Sequence, residues 1–100
     1  MEQRTMVGGF SQTAAVTEEI QKLVQKLKAD IVTNMGCTPK IFHAIAYRSQ
    51  MVAGTNYLVK VVVGDGDDYI HVAIFEPLPF SATEPEVTSV ETMKRLDDDL

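Results

Sequence analysis

The sequence predicts an α+β domain, one long helix lying against an antiparallel sheet. Two observations carry this. Apolar residues recur at helical spacing once, from Thr17 to about Asn34, and at a spacing of two in the segments after Pro39. One helix followed by successive strands, with no further helix among them, is the arrangement of an antiparallel sheet covered on one face. At 100 residues the chain is a single domain, 1–100, with one core.

Residues 1–13 are small and mostly polar, with a Gly8-Gly9 pair and one large apolar residue, Phe10. This segment reads as a flexible N-terminal arm leading into a first strand, or as a place where something approaches the backbone closely. The helix follows. Val16, Ile20, Leu23, Val24, Leu27 and Ile31 fall on one face, Thr17 is placed to cap the start, and Glu18 and Glu19 sit where the helix dipole favours negative charge. Gly36 supplies the stop.

Strands are expected at Ile41 to Arg48, Thr55 to Val63, Tyr69 to Glu76 and roughly Glu86 to Met93, all rich in β-branched or aromatic residues. Alternation assigns Tyr57, Val59, Val61 and Val63 to one face of the second of these and Ile70, Val72 and Ile74 to one face of the third. The run Asp97-Asp98-Asp99 reads as a solvated tail.

The connections differ in kind. Gly64-Asp65-Gly66-Asp67-Asp68 is a polar turn, and its aspartates do not have the spacing of a calcium loop. Gln50-Met51-Val52-Ala53-Gly54 also joins two strands, yet its middle is apolar. Either these residues face water and bind something, or they carry one strand into the next and are partly buried by a bend. In Glu76-Pro77-Leu78-Pro79-Phe80 two prolines stiffen the chain and hold Leu78 and Phe80 out, and rigid apolar groups dock with little loss of entropy.

Composition narrows the function. A formal charge of −5 with scattered basic residues disfavours nucleic acid and anionic membrane as partners. No window approaches the roughly 18 apolar residues of a membrane span. No apolar run follows the N-terminal basic residue, and the one cysteine, Cys37, allows no internal disulfide, so a reducing, cytoplasmic home is expected. Cys37 lies in a turn with no catalytic partner motif, and His43 and His71 both fall within strands. No Ser-His-Asp, Cys-His, metal-binding or phosphate-loop pattern is present, so neither catalysis, a metal nor a cofactor is expected.

At three points the chain resembles the cystatins. Gln50 to Gly54 fits Q-x-V-x-G, its extension Gly54-Thr55-Asn56-Tyr57 resembles the stefin branch, Leu78-Pro79 is similar to the family's second-hairpin Leu-Pro, and Gly8-Gly9 to its N-terminal glycine. The resemblance implies a cystatin-like fold, a long helix wrapped by a five-stranded antiparallel sheet. It further implies a reversible, tight-binding inhibitor of papain-like cysteine proteases such as the cathepsins, not an enzyme. In that picture the arm and two hairpins enter the protease cleft: Met6 and Val7 fill non-primed pockets, Gly8 and Gly9 allow close approach, and Gln50, Met51, Val52, Ala53 and Gly54 sit beside the catalytic cysteine. Leu78 and Pro79 cover the primed side, with Phe80 beside them. Two residues depart from the pattern. Met51 stands where stefins commonly carry valine, and Phe80 where the residue is smaller or polar. A monomer is expected, with a domain-swapped dimer open because an apolar loop between two long strands is a candidate hinge.

Overall fold

In a computed structural model, residues 9–100 are described; Met6, Val7 and Gly8 lie outside them. The described residues form a five-stranded antiparallel sheet in the order β1-β2-β3-β4-β5, comprising Ala14–Ala15, His43–Val52, Gly54–Val62, Tyr69–Glu76 and Glu86–Lys94. Between β1 and β2 run α1 (Glu18–Lys26) and α2 (Lys28–Met35). The α+β expectation holds, and each strand pairs with its sequence neighbour.

The expected helix is present but bends at Leu27, which leaves helical geometry at φ −97° and ψ 9°. No proline or glycine stands there. The Leu27 amide still donates to the Leu23 carbonyl at 3.1 Å, and the Ile31 amide to that of Leu27 at 3.0 Å, so α1 and α2 remain one rod. Leu23, Leu27 and Ile31 are all buried on its inner stripe, so both halves pack on the sheet. At the start the Thr17 hydroxyl accepts from the Ile20 amide at 3.2 Å. Gly36 ends the rod in the left-handed region, φ 81°.

The core lies between rod and sheet. Ile20, Leu23, Val24, Leu27 and Ile31 meet Ala44 of β2 and Val59, Val61, Val63, Ile70, Val72 and Ile74, which alternation assigned to the inward faces of the next two strands. Tyr47 and Tyr57 close the core at one end, their ring centres 6.2 Å apart.

β2 differs most from expectation. It begins at His43 rather than Ile41 and runs on to Val52, with an irregular step between Ala44 and Ala46 in its pairing with β3. Such a step leaves main-chain groups without ladder partners. Gln21 of α1 satisfies them: its side-chain amide donates to the Ala44 carbonyl at 3.0 Å and accepts from the Ala44 amide at 3.0 Å.

The acidic C-terminus is not a solvated tail, and this corrects the sequence reading. Residues 95–100 cross the outer face of the sheet as a strap. Lys60, only 7% exposed, donates from Nζ to the carbonyls of Leu96 and of Asp98, the latter at 2.6 Å. Asp67 in the β3–β4 turn accepts from the Leu96 amide at 2.7 Å and from Arg95 Nε at 3.2 Å. The carboxylates of the run stay near water while the main chain between them serves the sheet, which charge patterning does not reveal.

Candidate functional site

The β2–β3 hairpin is tighter than its sequence suggests. Met51 pairs with Thr55 and Val52 with Gly54, leaving Ala53 as the tip. The apolar residues therefore continue the ladder, as one of the two sequence readings held, yet the bend does not bury them. Met51 is 77% exposed and Val52 48%. Just behind them the Asn56 side-chain amide donates to Gln50 Oε1 at 3.0 Å, a cross-strand brace between directly paired residues.

Gly54 sets the position of this hairpin. Its φ of +121° lies where an L side chain rarely goes, and a Cβ there would meet the Glu76 carbonyl and Phe75 Cζ, each at 2.7 Å. The glycine is thus required twice, by its backbone and by the close approach of β4. Glu76, paired with Thr55, is the last residue of β4, so the second connection leaves the sheet beside the first.

That second connection is rigid in the expected way. The Ser81 amide donates to the Leu78 carbonyl at 2.9 Å, closing a turn with Pro79 and Phe80 at its corner. Phe80 is 87% exposed, Leu78 less so at 38%. The Ser81 and Thr83 hydroxyls lie 2.8 Å apart, and Lys26 of α1 reaches Glu84 at 3.1 Å, so the connection is braced within itself and against the rod. That ion pair is exposed and contributes little to stability.

Gly9 and Phe10 approach the same end. β1 runs antiparallel to β2, so the chain preceding Ala14 travels along β2 toward Val52. At Ser11 it is fastened: the amide donates to the Ser49 carbonyl at 2.7 Å, and the hydroxyl accepts from the Ser49 amide at 3.0 Å. Gly9 is exposed. Of the residues singled out in the sequence, the structure thus brings Gly9, Gln50, Met51, Val52, Ala53, Gly54, Leu78, Pro79 and Phe80 to one end. Met6, Val7 and Gly8 are outside the described residues. Sequence reasoning missed the supports, namely Ser11, Arg48, Phe75 and Asn56. Of these only Asn56 carried a signal, in the Gly-Thr-Asn-Tyr extension.

The electrostatics of this end are simple. Gly8–Thr13, Gln50–Asn56 and Pro77–Thr83 contain no charged residue, although charged residues make up 23% of the chain. A protruding, uncharged surface with rigid apolar side chains has the composition of an interface centre. Below it Tyr57 donates to Glu76 Oε1 at 3.4 Å, and burial, then the Glu76 charge, raise the phenol above its usual 10.0. Tyr57 therefore stays neutral in the physiological range.

Among the described residues no group of three or more His, Cys, Asp or Glu side chains is placed to hold a metal ion. A concavity of about 570 Å³ lies at the far end of β3 among residues such as Met35, Cys37, Val63 and Met93. The exposed apolar residues of the two connections, not that hollow, are the candidate site.

Comparison with known proteins agrees with this architecture. The family model described as the cystatin domain matches residues 8–97. Stefin-C of Bos taurus is 40% identical over 94 residues, spanning 94% of this chain and 92% of its own. Leukocyte cysteine proteinase inhibitor 1 of Sus scrofa is 39% identical over 95 residues, 95% of this chain and 91% of its own. Cystatin-B of Bos taurus is 38% identical over 95 residues, 95% of this chain and 96% of its own. With the matched domain covering both hairpins and the whole sheet, the chain belongs to the cystatin family and, within it, to the stefins.

Proposed function

We propose that this protein is a reversible, tight-binding inhibitor of papain-like cysteine proteases that enters the active-site cleft with its N-terminal arm and two hairpins. The observation that carries this reading is the uncharged end at which Gly54 seats the first hairpin against Phe75 and Glu76, with Met51, Val52 and Phe80 exposed. A relative named for inhibiting cysteine proteinases supports it.

The action is steric. Val52 and its neighbours sit beside the catalytic cysteine, Leu78, Pro79 and Phe80 cover the primed side, and Met6, Val7, Gly8 and Gly9 take the non-primed side. Gln50, Met51, Ala53 and Gly54 keep the first tip narrow. No bond forms or breaks, because the chain crosses the cleft without offering a peptide carbonyl at attack distance. A complex of ordinary size buries about 1,600 Å² and owes its strength to a few apolar anchors. The braced hairpins arrive in their bound shape, so little ordering entropy opposes docking.

The inhibitor acts as a monomer, uses no cofactor and has no need of nucleic acid or membrane. Among the described residues no helix is long and apolar enough to cross a membrane. A single free and exposed cysteine suits the reducing cytoplasm.

Titration of active papain with the purified protein, followed by hydrolysis of a fluorogenic peptide, tests the proposal. Stoichiometric inhibition with the inhibitor chain recovered uncut is expected, and it is lost on Val52→Asp. Absence of inhibition by the folded wild-type protein, or its progressive cleavage, would overturn it.

A further inference from the structure

Arg48 lies on the outer side of β2 and makes two hydrogen bonds to segments far apart in sequence. Its Nε donates to the Ser11 carbonyl at 2.8 Å, and its Nη1 to the main-chain oxygen of Leu100 at 3.0 Å. One guanidinium therefore joins the base of the N-terminal arm to the C-terminal strap. The strap is itself held at two further places, by Asp67 at the opposite end of the sheet and by Lys60 in its middle. The oxygen that Arg48 meets at Leu100 is consequently presented from a fixed direction. A planar fork held on one side loses little further freedom when it binds on the other.

Ser11 is the receiving end. Its amide, hydroxyl and carbonyl are all engaged, the first two by the Ser49 main chain and the third by Arg48. The strand β1 that follows is only Ala14–Ala15, two residues, and is too short to fix the direction of the chain before it. What aims Gly9 and Phe10 along β2 is this cluster on Ser11.

We propose that Arg48 is a positioning residue, coupling the C-terminal strap to Ser11 and so holding Gly9 and Phe10 in line with the first hairpin. Its consequence for inhibition rests on the protease-binding reading above; its consequence for the free protein does not. Arg48 touches no protease in that reading. It acts through Ser11.

Two measurements on the full chain test this. In the free protein, Arg48→Gln increases the exchange rate of the Ser11 amide about tenfold, the scale set by losing one charge-assisted bond, and leaves the Val61 amide in the middle of β3 within about twofold. Arg48→Lys keeps the charge but reaches only one of the two oxygens, and gives an intermediate value. Against papain, Arg48→Gln weakens binding about fivefold to tenfold in the full chain and less than about twofold once residues 1–8 are removed. Unchanged Ser11 exchange, or equal weakening with and without the arm, would overturn the proposal. A wild-type protein that fails to inhibit papain removes the protease reading alone, and the exchange measurement still decides the role of Arg48.

Discussion

Gly54→Ala separates the two demands that this glycine meets. The first is conformational: at φ +121° an alanine is strained, at a cost of about 1–3 kcal/mol. The second is steric. The added methyl would lie 2.7 Å from the Glu76 carbonyl and 2.7 Å from the Phe75 ring, and one of those is backbone in a paired strand. Relieving it pushes the first hairpin away from β4, with a cost comparable to overpacking a core, about 1–3 kcal/mol. Together the loss is about 2–6 kcal/mol, a large part of the roughly 5–15 kcal/mol that a domain of this size possesses. Gly66→Ala is the control, since Gly66 also has a positive φ, 77°, but nothing within 4 Å of its Cβ position. Its cost is the backbone strain alone, about 1–2 kcal/mol. Urea unfolding of both variants, followed by circular dichroism, gives the comparison. On heating, Gly54→Ala lowers the midpoint by on the order of 10–30 °C. Equal costs for the two variants would refute the claim that close packing of Gly54 on β4 holds the two hairpins together.

Further outcomes follow from the exposed tips and the covered face. Val52→Asp leaves stability within about 0.5 kcal/mol, because the side chain is half exposed, but weakens papain binding at least a hundredfold by burying an unpaired charge; unchanged inhibition constants would remove Val52 from the contact. Phe80→Ala, at an 87% exposed site, also leaves the urea midpoint unchanged, and it costs about 1–2 kcal/mol of binding to proteases whose primed side admits the ring; equal inhibition by both forms across a panel of such enzymes would deny Phe80 a role. His71, 6% exposed on β4 with its Nε2 unpartnered, faces Lys60 of β3, Lys94 and Glu91 of β5 and Asp98 of the strap. Burial, then the charges of Lys60 and Lys94, hold its pKa below the ordinary 6.5, with Glu91 and Asp98 opposing. The folded form thus binds fewer protons than the unfolded chain, so the stabilisation from neutral His71 is complete above pH 6.5 and is lost as pH falls below it through the folded value. Urea midpoints measured from about pH 8 down to about pH 5 fall more for the wild type than for His71→Gln, and parallel curves would show that His71 is not responsible.

The helix, the inward faces of β3 and β4 and the α+β class were legible because they are periodic. Val59, Val61 and Val63 alternate, Ile20, Leu23, Val24, Leu27 and Ile31 recur by turns, and burial of such stripes admits few arrangements. The candidate tips were legible for a different reason. Met51, Val52, Leu78 and Phe80 are apolar where short connections are ordinarily polar, so the anomaly itself marked them. Exposure was not legible: the same pattern allowed the first hairpin to be hidden by a bend, whereas the folded chain leaves Met51 and Val52 in water. The bend at Leu27 was likewise silent, because a buried leucine on the inner stripe looks the same in a straight helix as in a curved one.

The sequence by itself determined the local elements and which of their faces turn inward, since both follow from interactions between residues a few positions apart. The tertiary structure decided how distant pieces support one another. Gln21 satisfies the irregular step at Ala44, Gly54 meets Phe75, Lys60 and Asp67 hold the acidic C-terminus as a strap, and Arg48 joins that strap to Ser11. Each of these contacts spans twenty or more residues and involves a polar or small side chain that has no period to betray it. Their partners exist only once the sheet has set the register, because a shift of one residue would turn Arg48 and Lys60 to the opposite face.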